Sequence, residues 1–336
     1  MEFVLRDNTV DDSNLITPKK FTVKKISQLG KEALTFEKDR EYVLNGIRVI
    51  QGMPGAGRVF FFPYSIQIGG ETRFVEVKGY GRDGRDMTLF LHPDGDINFG
   101  MFFKNAAKEY SILEKAVQAG LCVPPPLLLG KIPREEWLKS ALNEIKYLID
   151  SYDIPTNGIN LESLTVETDI KELGRQINNL QVFYFVDAVS AFKQPYNAGF
   201  LIRAPLSPFR IGDLEDKYKF NQRNVWIART CGKTFWQLLD LGYFHLSPST
   251  SNWTTQAELT DMSDCYDLRK DKNLVKIIKE RENKTQQDFW EDLIDKRHTG
   301  NLSPYFIEGI FGEPISVEEA AVEIKNKVTS KLKKTL

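Results

Sequence analysis

Residues 244–264 read FHLSPSTSNWTTQAELTDMSD. His245 comes near the start, Asn252 stands seven residues later, and Asp261 follows a short strand-like run nine residues beyond that. An Asn and an Asp supply hard oxygen donors of the kind that hold a magnesium ion while phosphate oxygens and waters complete its shell. His245 reads as a packed histidine that organises the loop, and no chemistry is assigned to it. Ser247 and Ser251 lie between the landmarks, and neither can serve as a carboxylate base.

Working outward, the chain before this stretch changes character twice. EYVLNGIRVIQG (41–52), GRVFFFPYSIQI (57–68) and, after a Gly-Gly turn, TRFVEVKG (72–79) are rich in β-branched and aromatic residues and predict an antiparallel sheet. MFFKNAAKEYSILEKAVQAG (101–120) repeats Ala106, Tyr110, Leu113 and Val117 at helical spacing and stops at Gly120. Pro124, Pro125 and Pro126 cannot continue that helix and predict an extended connector, a natural hinge. Helical patterns then dominate, at 135–152, 167–192, 223–242 and most of 266–336. The expectation is an α+β, bilobal, protein-kinase-like fold. Residues 1–125 form a mostly antiparallel β N-lobe with one helix, residues 126–336 a mostly helical C-lobe, and the cleft lies between them.

Three further segments could carry chemistry. GMPGAGRVF (52–60) sits between two strands, and Gly55 and Gly57 could let backbone N–H groups approach a polyphosphate. A plain hairpin turn has the same composition. In VEVKG, Val75 and Val77 share one face of a strand and Glu76 and Lys78 the other. Such a lysine either faces solvent or meets a carboxylate. Glu109, on the edge of the following helix's apolar face, is the partner that would let it aim an ammonium at α and β phosphates. LIRAPLSPFRIGD (201–213) holds Arg203 and Arg210 in a proline-rich stretch, either as loop arginines or as a forked clamp on a triphosphate.

HLSPSTSN keeps the His-to-Asn spacing of the protein-kinase loop HRDxxxxN, with Ser247 in place of the catalytic aspartate. Together, VEVKGYG, AAKEYSILEKAVQAGLCVPPP, IRAPLSPFRIG and HLSPSTSN leading to LTDMS resemble the selenoprotein O family of AMP-transferring pseudokinases. Its pattern runs LQLKGAG, IREYLxSEAMxxLGIPTT, RVAPSxxRFG, and HGVMNTDN leading to IDYG. The likeness touches residues 50–126 and 198–268, under half of the chain. It implies ATP bound in reversed orientation, with AMP passed to a protein hydroxyl on Ser, Thr or Tyr. It further implies Lys78 and Glu109 as the lysine and its helix partner, Arg203 and Arg210 as phosphate-binding arginines, and Asn252 and Asp261 as ligands of Mg2+ or Mn2+.

The departures are specific. Ser251 stands where the family carries an aspartate beside the metal ligand, which puts transfer in doubt. The family's DGR element has two competing counterparts, Asp83–Arg85 and Asp94–Asp96, with Arg85 preferred for cofactor binding. The terminal KKTL lacks the family's redox-active Cys or selenocysteine. An atypical phosphotransferase and a catalytically inactive nucleotide-binding scaffold are the alternative classes.

The totals fit this picture. With 45 basic and 46 acidic side chains there is no bulk charge to draw nucleic acid or an acidic membrane, so any anion site is local. Cys122, Cys231 and Cys265 are odd in number and unclustered, and read as buried thiols rather than disulfides or metal ligands. MEFVLRDNTVDD lacks the basic start and apolar run of a signal peptide, so a cytoplasmic location is expected.

Overall fold

A computed structural model of the chain describes residues 41–44, 47–50, 59–79, 90–91, 97–98, 103–132, 198–211, 221–271, 274–284, 289–295 and 299–333. Strands β1 (Glu41–Leu44) and β2 (Ile47–Ile50) pair antiparallel. β3 (Val59–Ile68) returns through Gly69 and Gly70 as β4 (Glu71–Lys78). Pro63, which has no N–H for a ladder, falls inside a register shift between Phe61 and Ser65. β5 (Phe90–Leu91) and β6 (Ile97–Asn98) form a second short pair. β7 (Pro126–Ile132) and β8 (Ala198–Arg203) join β3 and β4 in a four-stranded sheet of order β3-β4-β8-β7, antiparallel at every step.

Helix α1 (Phe103–Gln118) buries Ala106, Glu109, Ile112, Leu113 and Ala116. Its inward stripe is turned slightly from the expected one. Val117 is 38% exposed, Tyr110 is half-buried, and Glu109 sits within the stripe rather than at its edge. The reason lies in the spacing: 106, 109, 112–113 and 116 advance by three to four residues and lie on one side of a 3.6-residue helix.

After α1 the chain runs through the three prolines into β7, which begins at Pro126, a permitted place for proline at the start of an edge strand. The expected boundary after residue 125 falls just before β7, yet β7 and β8, which that boundary gives to the helical lobe, pair into the same sheet as β4. Two compact units result. Among the described residues, one holds 59–79, 90–91, 97–98, 103–110, 126–132 and 198–204, and the other holds the remainder.

The second unit is mostly helical. α2 (Gln222–Asp240) is capped by Asn221, whose side chain accepts from the Asn224 N–H. It is followed by β9 (Tyr243–His245), β10 (Cys265–Asp267), α3 (Leu274–Lys284), α4 (Phe289–Asp292), α5 (Ser303–Phe311) and α6 (Val317–Lys333). α2 and α5 meet at backbone distance. A Cβ on Gly232 would lie 2.0 Å from the Phe306 carbonyl oxygen, and one on Gly309 would lie 2.1 Å from that of Arg229. Phe235, Phe244, Trp253 and Phe306 fill the core beside this crossing. α6 opens with a reciprocal capping box in which Ser316 Oγ accepts from the Glu319 N–H and Glu319 accepts from the Ser316 N–H. The protein is therefore an α+β chain with an antiparallel sheet. Among the described residues no helix is long and apolar enough to cross a membrane.

Candidate functional site

The site residues fall into two sets, one in each unit. In the sheet, Glu76 lies directly opposite Arg203, and Lys78 opposite Leu201. Alternation along the strands puts Glu76, Lys78, Leu201 and Arg203 on one face and Val75, Val77 and Ile202 on the other. Gly199 belongs to the first face, and a Cβ there would come within 2.5 Å of the Phe103 Cα, so glycine lets the start of α1 approach the strand. Lys131, across from Gly199, holds its ammonium 4.5 Å from the centre of the Phe103 ring. α1 seated in this way delivers Glu109 to the charged face.

There Lys78 Nζ donates to Glu109 Oε2 at 2.8 Å. Arg203 Nη1 donates to the other oxygen, Glu109 Oε1, at 2.8 Å, while its Nε and Nη2 fork onto Glu76 at 2.9 and 2.7 Å. Two cations and two anions cancel, which makes burial of all four tolerable. Lys78 is 4% exposed, Arg203 1%, and both carboxylates are fully buried.

The Lys78–Glu109 pair is as the strand and helix patterns suggest. Arg203 stands differently from its expected place in a phosphate clamp. It ends β8 inside the sheet, and Nε and both Nη nitrogens donate to carboxylates. Glu76 is the reason; the sequence places it on the Lys78 face of the strand without indicating its partner. The signal was a second charge two residues before Lys78 on the same strand face, between valines.

In the helical unit, β9 and β10 pair with His245 opposite Cys265. This pairing brings the loop after β9 beside the segment before β10. Trp253 bridges Leu259, the Thr260 N–H donates to the Asn252 carbonyl at 2.8 Å, and Thr260 Oγ1 donates to the same oxygen at 3.1 Å. Asn252 is thereby tied to the residue preceding Asp261. Asn252 Nδ2 donates to the Ser247 carbonyl at 2.8 Å, which fixes the amide and assigns Oδ1 as its acceptor end. Asp261 sits at φ 59° and ψ 59°, a left-handed conformation that short polar side chains tolerate best among non-glycine residues. Ser263 Oγ donates to its Oδ1 at 2.6 Å.

His245 is fully buried and organises this loop, as expected. The Ser247 N–H donates to Nδ1 at 3.1 Å, which leaves the proton on Nε2, 3.3 Å from the Thr260 carbonyl. Ser251 is exposed, with its hydroxyl 2.6 Å from that of Ser249. Arg210 bridges Thr254, the Ile211 N–H donates to the Trp253 carbonyl, and the Arg210 guanidinium donates to Thr260 Oγ1. Thr260, a residue that motif spacing alone did not single out, thus joins the Arg210 guanidinium to the Asn252 backbone carbonyl and directly precedes Asp261 in the chain.

Asn252 Oδ1 and the Asp261 carboxylate are the side-chain oxygens that these two segments offer. Among the described residues no group of three or more His, Cys, Asp or Glu side chains could hold a metal ion. Gly55, Gly57 and Arg85, together with the Asp83 and Asp94–Asp96 alternatives, lie outside the described residues. Cys231 and Cys265 are buried, whereas Cys122 is half-buried. Burial, aided by Cys122 and Glu258, pushes the Cys231 thiol well above its usual range, so it is an unreactive packing group. No family model and no curated protein matches the chain.

Proposed function

We propose that the chain is a nucleotide-binding protein of the kinase-like, selenoprotein O type that binds ATP with Mg2+ or Mn2+ and transfers AMP to a protein hydroxyl. In this proposal the sheet-bearing unit corresponds to a kinase N-lobe and the helical unit to a C-lobe, working in the cytoplasm on one nucleotide. The observation that carries it is the ion pair of Lys78 with Glu109, buried at 2.8 Å. A lysine on a strand is ordinarily solvent-facing, so one that is buried and aimed by a helix carboxylate is poised for a specific anion.

Lys78 would bind phosphate oxygens, and Arg210 would neutralise others from beside the metal loop. Asn252 Oδ1 and the Asp261 carboxylate would hold the cation, which withdraws charge from the phosphates. In the transfer, the acceptor hydroxyl oxygen bonds to the α phosphorus, the bond from that phosphorus to the bridging α–β oxygen breaks, and pyrophosphate leaves. The hydroxyl proton passes to solvent. Such transfers depend more on charge neutralisation and in-line placement than on a strong base, which makes Ser247 compatible with catalysis.

Ser251 favours a second reading, a nucleotide-binding scaffold without transfer, because it leaves no carboxylate next to Asn252 in the chain. Incubation with α-labelled and γ-labelled ATP and divalent metal separates these readings. Transfer of AMP marks protein from the α label alone, and Lys78→Ala and Asp261→Ala each abolish it. Marking from the γ label identifies a phosphotransferase. Thermal stabilisation by ATP and magnesium without any label identifies the scaffold.

A further inference from the structure

The buried network contains more than the Lys78–Glu109 pair. Arg203 touches both acids, and Glu76 touches Arg203 through both carboxylate oxygens. A bidentate guanidinium–carboxylate fork fixes angle as well as distance. Cross-strand register pins it further, because Glu76 and Arg203 face each other directly on adjacent strands. Glu109, by contrast, arrives from a helix and has its two oxygens divided: Oε2 for Lys78 and Oε1 for Arg203.

We propose that Glu76 and Arg203 are positioning residues that act through Glu109 Oε1 to orient the Lys78 ammonium, and that Arg203 is not itself a phosphate ligand. The resembled family motif LQLKGAG has a neutral Gln where this chain has Glu76, so the sheet-anchored fork depends on a charge particular to VEVKGYG. A direct role for Arg203 on phosphate requires the guanidinium to leave two buried carboxylates, whose charges would then lack that partner. Holding Glu109 needs no rearrangement. The inference rests on the nucleotide reading only for what Lys78 finally binds. The relay itself is a property of the unliganded protein.

This independence sets the test. The reactivity of Lys78 toward acetic anhydride is measured against pH, residue by residue by mass spectrometry, in the full chain without nucleotide. Wild type is compared with Glu76→Gln, Arg203→Met and the neutral double substitution Glu76→Met with Arg203→Met. The double substitution removes an ion pair as a unit and keeps the network uncharged, so it preserves folding where a single change strains it.

If the residues position Glu109, every variant releases Lys78 from its partner. Labelling of Lys78 near neutral pH then rises several-fold. If only net charge matters, the two single substitutions move Lys78 in opposite directions, because one leaves the network positive and the other negative. Opposite shifts overturn the proposal, as does unchanged labelling in the folded double variant.

A parallel assay of wild type with α-labelled ATP keeps the two claims apart: failure there removes the transferase and leaves the relay standing. Where transfer occurs, the relay predicts that the double variant loses kcat by roughly 10–100-fold with KM for ATP little changed, as for a misplaced catalytic group. A raised KM at unchanged kcat makes Arg203 a direct phosphate ligand and overturns the proposal.

Discussion

At the residue scale the decisive feature is a set of charges that cannot be altered singly without penalty. Replacing Glu109 by Gln leaves Lys78 and Arg203 without their shared acid, and breaking a buried pair by removing one partner costs about 3–5 kcal/mol. Chemical denaturation should show that loss as a lower midpoint at unchanged slope. Exposed pairs behave otherwise. Burial opposes the charge on Asp267, but hydrogen bonds from the Arg269 side chain and backbone, with the charges of Arg269 and Lys270, outweigh it and hold the carboxyl below its ordinary value. A carboxyl with a depressed folded pKa contributes stability that is complete above the unfolded value of about 3.9 and disappears as pH falls through the folded value. Asp267→Asn should therefore be less stable than wild type at neutral pH, by at most about 1 kcal/mol because its partner Arg269 is 53% exposed, and equal to it in strong acid. Urea titrations at a series of pH values from 7 down into strong acid follow the loss.

At the scale of elements, close backbone contact and capping set the architecture. Gly232→Ala places a methyl group 2.0 Å from the Phe306 carbonyl oxygen, so α2 and α5 must separate. Overpacking of this kind costs about 1–3 kcal/mol, read as a fall in melting temperature. Asn221→Ala removes the side-chain acceptor for the Asn224 N–H and should cost about 1 kcal/mol by the same measurement.

The sequence made the presence of these elements readable more readily than their contacts. The β3–β4 turn, α1 and α2 follow from alternation, helical spacing and stop signals. The meeting of Lys78 with Glu109 was one of two readings the strand pattern left open, solvent or a carboxylate, with Glu109 placed only at the edge of the helix's apolar face. The attachment of Arg203 to Glu76 was not legible, because it depends on the register between strands 127 residues apart in sequence, and register is written in pairing rather than in either strand alone. Thr260 was missed for a similar reason: its role comes from backbone contact with Asn252, which no side-chain motif encodes. The rotation of α1 that exposes Val117 and buries Glu109 is a matter of one helical step, below what spacing resolves.

At the scale of the whole molecule, each unit carries its own set of candidate residues. The sheet-bearing unit has an oriented ammonium, and the helical unit has oxygen donors and a guanidinium gathered by one loop pair. The proposed transferase needs both sets on one triphosphate. Ser251 is the position where the proposal is most open to improvement by substitution: if the missing carboxylate limits the incoming hydroxyl, Ser251→Asp should raise α-label transfer by about 10²-fold or more, the lower end of general-base assistance. The most direct measurement is a crystal structure of the full chain with a non-hydrolysable ATP analogue and Mn2+. The account predicts Lys78 Nζ on a phosphate oxygen, the metal between that triphosphate and the Asn252 and Asp261 oxygens, and the α phosphate facing solvent. A triphosphate bound away from Lys78, or a metal that bypasses Asp261, contradicts it.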